Sequence, residues 1–197
     1  MSLIANAKAK LATGNVTEAF KNEEGAIDLA SIMVGIIVIG LIGGVIAATV
    51  FAVIPWAQDN AAKQQLDSVA SAESAFVGLS TQGTNAHFGD GTATAGVGLA
   101  DPANKLFDAT SAGVKIAVQG GGNTAHYVAA DKSASGKVFY ISDTKTQPTV
   151  ADGAGTDVAA SVFVGQTSIA GGTVINGVTW GVGGTTPTNV NLTGASF

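Results

Sequence analysis

Ile32-Met-Val-Gly-Ile-Ile-Val-Ile-Gly-Leu-Ile-Gly-Gly-Val-Ile-Ala-Ala-Thr-Val-Phe-Ala-Val-Ile54 decides how this chain is built. It is the centre of a segment, Leu29 to Gln58, that carries no charged side chain. A helix needs about 20 apolar residues to cross a bilayer core, so the segment is long enough to span one with some tilt. A helix in a small soluble core would keep a polar face, and this run is apolar all round. A secretory signal peptide fits no better. Its apolar core is usually only about 7–15 residues long, and Ile54-Pro55-Trp56-Ala57-Gln58 offers no small-x-small cleavage pattern. Trp56 suits the membrane interface. Lys8, Lys10 and Lys21 precede the span, and Lys63 alone follows closely. That bias puts the N-terminus in the cytoplasm and everything after about residue 58 outside.

Working outward, helical sequence resumes directly after Pro55, so the proline is expected to kink the helix instead of ending it. Asp59 to Val77 is rich in alanine and other helix formers. Ala62, Leu66, Val69, Ala70, Phe76 and Val77 fall on one stripe at helical spacing. The expectation is one helix from Ala26 to Leu79, roughly 80 Å long at 1.5 Å per residue, with its membrane segment at about 29–57. The second half has one face to bury against a head domain at 80–197.

The head reads as β. Val114, Ile116 and Val118 alternate with Lys115 and Ala117, the period of a half-buried strand. Tyr127–Ala130 and Lys137–Ile141 flank Asp131-Lys-Ser-Ala-Ser-Gly136 as a hairpin. Ser161–Val164, Thr173–Ile175 and Val178–Trp180 are further expected strands, the last two joined by the turn pair Asn176-Gly177. The Gly/Thr-rich stretches 83–98 and 181–196 read as loops or edges. The fold class is therefore α+β, a long N-terminal helix packed on a C-terminal antiparallel sheet.

Composition narrows the function. Nine lysines, no arginine and fourteen acids give a net charge of −5, which argues against a nucleic-acid partner held by a broad basic surface. With no cysteine there is no disulfide, thiolate nucleophile or thiolate metal site. His87 and His126 are solitary, and a metal site would need carboxylates gathered from scattered loops. Asp152-Gly-Ala-Gly-Thr-Asp157 misses calcium-loop spacing and reads as a Gly/Asp turn. Gly120-Gly-Gly122 lacks the Gly-Lys-Ser/Thr of a phosphate loop, and no G-x-S-x-G occurs. Asn191-Leu-Thr193 fits a glycosylation sequon too short to carry weight. The chain is expected not to be an enzyme, with no cofactor and no metal.

A short polar leader, acids and a glycine, an apolar helix and a β head together resemble the bacterial type IV pilins and pilin-like proteins. The matching residues are Glu23-Glu24-Gly25-Ala26-Ile27-Asp28-Leu29 before the apolar run and Ile54-Pro55-Trp56-Ala57-Gln58-Asp59 at its end. The Tyr127 to Ser142 hairpin looks like the C-terminal hairpin of bacterial pilins. The resemblance spans the chain in architecture but only about thirty residues in motif. It implies a leader at 1–25, removed by a prepilin peptidase between Gly25 and Ala26, with methylation of the new N-terminus in many family members. It also implies self-association into a filament, served by an assembly ATPase and a platform protein. The precursor would sit in the cytoplasmic membrane and the product in an extracellular pilus.

Two residues depart from the family pattern. Members usually begin with Phe or Met and carry Glu at the fifth mature position, where this chain has Ala26 and Ala30. Asp28 is the nearby acid. It pairs with the N-terminal amine of a neighbouring subunit, as the family carboxylate does, or it caps the helix start. Gly40-Leu-Ile-Gly43-Gly44 is a GxxxG match that permits close helix packing, and the resemblance makes Gly43 and Gly44 the place where the filament helix loosens. The leading expectation is a structural pilus subunit. The alternatives are a minor pseudopilin of a type II secretion or DNA-uptake system, and an uncleaved membrane-anchored binding module.

Overall fold

The computed structural model describes residues 23–80, 88–94, 97–120, 125–182 and 186–197, with the side chains of 23–28 and of Ser80 outside that description. Most of the leader, His87 and the end of the triple-glycine stretch lie outside the described residues. The chain divides into two units, the first ending at Ala52 and the second running Val53–Phe197. Helix α1, Glu23–Ser80, is continuous and holds Pro55 in its interior. Proline there removes one backbone donor, that of residue 55 to the Phe51 carbonyl, and the helical run on both sides outweighs the loss.

Within the second unit, α1 becomes amphipathic. Ala62, Leu66, Val69, Ala72 and Phe76 are buried, at the i, i+3, i+4 spacing of one helical face. Ala70 packs beside them. This face lies on a five-stranded antiparallel sheet of order β4-β3-β2-β1-β9, formed by β1 Val114–Gln119, β2 His126–Lys132, β3 Val138–Ser142, β4 Thr149–Val150 and β9 Thr193–Gly194. The register pairs Ile116 with Ala129, and Ala129 with Ile141. That row, with Val114, Tyr127 and Phe139, is the sheet's half of the helix-facing core. The fold is α+β as the sequence predicts.

The other sheet face is covered too, which the sequence reading misses. Ala117, Val128, Ala130, Val138 and Tyr140 meet Val158, Phe163, Ile169, Ile175 and Trp180 in a second core. These last residues come from a layer holding two small sheets, β5 Ser168–Ile169 with β8 Val190–Asn191, and β6 Val174–Ile175 with β7 Val178–Thr179. So β1 is not half-buried. Lys115, expected to face solvent, is 3% exposed. Its ammonium donates to the carbonyls of Phe163 and Gln166, both at 2.7 Å, and lies 4.7 Å from the Phe197 ring centre. Paired in this way, the charge is tolerated where a bare one would not be.

The segment expected as a strand at Ser161–Val164 is instead a 3₁₀ turn, η1 Ala160–Val162. Phe163 alone of the four is fully buried there, and Gly165 follows with φ +69°. One anchored side chain gives no reason for a ladder. By contrast, Asn176-Gly177 turns between β6 and β7 with φ of +50° and +83°, the two left-handed residues of a type I′ hairpin. A short helix, α2 Ala109–Ala112, is capped by Asp108, whose carboxylate accepts from the Ser111 amide at 3.1 Å.

Candidate functional site

The apolar segment of α1 has no cover. Every large apolar side chain from Leu29 to Trp56 is exposed, from 45% at Ile54 to 76% at Phe51. By length and composition this helix could cross a membrane or act as a signal sequence. Gly40, Gly43 and Gly44 face open space, with nothing within 4 Å of an added Cβ. Thr49, the one hydroxyl between Ile32 and Ile54, donates back to the Ile46 carbonyl at 2.8 Å, so it asks nothing of its surroundings. Gly25, Ala26 and Asp28 lie in the first turns of α1, and their side chains fall outside the described residues.

Just past Pro55 the chain changes character. Asp59 is the first charge after the apolar run and is 8% exposed. Its carboxylate accepts from Lys137 Nζ at 2.8 Å, from the Ser133 hydroxyl at 2.9 Å and from the Ser135 hydroxyl. Those bonds from Lys137 and the two serines outweigh the cost of burial and hold the carboxyl down at about 2. The effect is to fasten the β2–β3 turn to α1. The sequence reading placed this turn correctly as a polar loop, but nothing in the one-dimensional pattern connects it to Asp59. The only signal was a lone acid flanking an apolar run.

Next to the clasp, a cavity of about 560 Å³ is lined by Gln58, Gln65, Asp131, Lys132 and Phe197 among others. Asp131 is 5% exposed, and burial pushes its carboxyl up to about 6. The Gln65 amide, with its nitrogen turned inward, donates to Asp131 Oδ2 at 2.5 Å and to the Ala112 carbonyl at 3.0 Å.

Further along α1, Glu73 is wholly buried. One oxygen accepts from the Gly89 amide at 2.9 Å, and the other has no partner among the described residues. Burial dominates, raising this carboxyl to about 8. Sequence reasoning passed over Glu73, because an acid between Ala72 and Ser74 looks like part of a solvated face.

The remaining polar groups named by the sequence are occupied. His126 Nδ1 and Asp143 are 2.7 Å apart. Asp157 takes Lys145 at 2.6 Å and the Tyr140 hydroxyl at 2.7 Å, while Asp152 accepts from the Ala154 amide. Among the described residues, no three His, Asp or Glu side chains gather as metal ligands would. Asn191 is exposed, and the Thr193 hydroxyl is spent on the Ile116 carbonyl.

A long N-terminal helix, apolar first and amphipathic second, thus lies by its second half on an antiparallel sheet. The architecture is pilin-like. Comparison with protein-family models, with curated proteins and with solved structures finds no match.

Proposed function

We propose that this chain is the structural subunit of a type IV pilus-like filament. The observation that carries the reading is the uncovered helix. One continuous α1 supplies both a fully exposed apolar segment and the spine of the head's core. Such a segment needs a lipid or protein environment. Lipid tails and identical apolar helices are near-equivalent surroundings for it. Storage in a membrane and packing in a filament core are therefore close in energy, and the chain passes between them by changing neighbours.

In this reading a prepilin peptidase cuts between Gly25 and Ala26, leaving a new N-terminal amine on Ala26 with Asp28 as the third residue. Gly40, Gly43 and Gly44 let helices approach closely, and Pro55 marks the passage from filament core to head. An ATPase and a platform protein drive extraction from the membrane. The head is a surface coat without catalytic chemistry.

The test is the N-terminus of the protein isolated from envelopes and from sheared surface material. A chain starting at Ala26 in the sheared fraction, N-methylated, is the expected result. Chains starting at Met1 or Ser2 in both fractions would overturn the proposal and leave an anchored surface domain.

A further inference from the structure

Among the described residues, Glu73 is the one fully buried carboxyl in the helix-facing core, and none of them gives it an opposite charge. Gly89, which donates to it, sits between Phe76 of α1 and Leu99 of the following loop, and those two side chains lie in the helix-facing core with Phe88 packed against it. A Cβ placed on Gly89 would come within 2.7 Å of Leu99 and 3.2 Å of Phe76. From β2 comes Tyr127, whose ring is 4.8 Å from that of Phe88. The charged and titratable groups facing the site are Asp90 on the loop and Tyr127 on the sheet, with Asp143 behind Tyr127 and paired to His126. No cation is among the groups acting on Glu73.

The described residues of the loop are bonded to one another. Leu99 donates to the Asp90 carbonyl at 2.8 Å, and Leu106 and Phe107 donate back to the Leu99 carbonyl. At one end it is tied to β9 by the Gly91 amide on the Thr193 hydroxyl, 2.7 Å. At Gly89 its polar tie to the helix is Glu73 Oε2. Opening the loop at that point would expose Glu73 to water without breaking the backbone ladder of β1, β2 and β3, which contains no residue of that loop.

We propose that Glu73 and the Gly89 amide form a proton-controlled latch that seats the loop residues around Gly89 and Leu99 on α1, closed while the carboxyl is protonated and released as it ionises. The sign follows from linkage. The closed state holds its proton up to a pH of about 8, whereas a solvated glutamate releases it near 4.5. Between those values the open state binds fewer protons, so rising pH favours opening. Below the window both states are protonated, and above it both are ionised, so the effect is flat at either end. The latch stands whether or not the chain forms filaments.

Hydrogen exchange at the Gly89 amide tests this in the full chain held in lipid nanodiscs, with rates corrected for the intrinsic pH dependence. Protection at Gly89 should fall about tenfold per pH unit inside the window and level off above it. The Ala129 amide in the middle of β2 should show no such slope. Glu73→Gln keeps an oxygen acceptor for Gly89 but cannot ionise, so its protection should be independent of pH. A flat profile in the wild-type chain, an equal slope at Ala129, or an unchanged slope in Glu73→Gln would each overturn the latch. Should that variant fail to fold, the Glu73 side-chain carboxyl can be titrated by carbon-13 NMR in the wild-type chain. A midpoint near 8, with loop resonances moving in step, supports the proposal, and an ordinary glutamate midpoint refutes it.

Discussion

Single side chains in the second unit carry the polar decisions of this fold. Asp59 is held ionised by Lys137, Ser135 and Ser133. Its contribution is therefore fully present above the ordinary aspartate range, near 3.8, and is lost as pH falls through about 2. Asp59→Asn should remove that acid sensitivity and raise amide exchange across 133–137 at neutral pH, leaving β1 unaffected. Lys115 is the second such residue. Burial holds its ammonium below the usual lysine range, and two carbonyls depend on it. Lys115→Ala should cost about 1–3 kcal/mol, the desolvation cost of groups left unpaired, measured as a fall in melting free energy. In the proposed filament, Asp28 would have one of two roles. If it pairs with a neighbour's amine, Asp28→Ala abolishes incorporation into sheared filaments while the protein still inserts in the membrane. If it only caps the helix, incorporation survives.

At the scale of elements, legibility in the sequence tracked the number of faces an element buries. The stripe Ala62, Leu66, Val69, Phe76 was readable because α1 buries one face there, and its period is visible in a single line of residues. Leu66→Ala should cost about 2–5 kcal/mol, as for other fully buried leucines, by chemical denaturation of the head. The I′ pair Asn176-Gly177 was readable because its backbone requirement is local. Gly177→Ala, at φ +83°, should cost about 1–2 kcal/mol for forcing a side chain into the left-handed region. β1 was misread because alternation with Lys115 imitates a solvent face, and the carbonyls that receive that lysine lie far along the chain, at Phe163 and Gln166. Phe163 was misread for the reverse reason. An apolar run that anchors a turn by one side chain resembles a strand on paper. The candidate site divided the same way. The exposed apolar helix was evident from composition, while Asp59 and Glu73 acquire meaning only from partners at Lys137 and Gly89.

At the scale of the whole molecule, apolar burial in the second unit contrasts with apolar exposure from Leu29 to Trp56. A charge placed mid-segment should separate them. Ile39→Lys or Ile42→Lys should cost about 2.5–3.5 kcal/mol of insertion, seen as loss of the protein from the carbonate-resistant membrane fraction. The melting of the Val53–Phe197 unit should be unchanged in the solubilised variant. The five-stranded sheet ends in β4 and β9, each two residues long. Such stubs offer an incoming strand almost no unpaired ladder. Chains crowded side by side at high local density are thus denied strand-to-strand addition, the route by which β proteins run on into irreversible fibres. In the proposed filament, polymerisation would be left to the greasy rod, and a polymer held by such apolar helix contacts could be taken apart again into its parts.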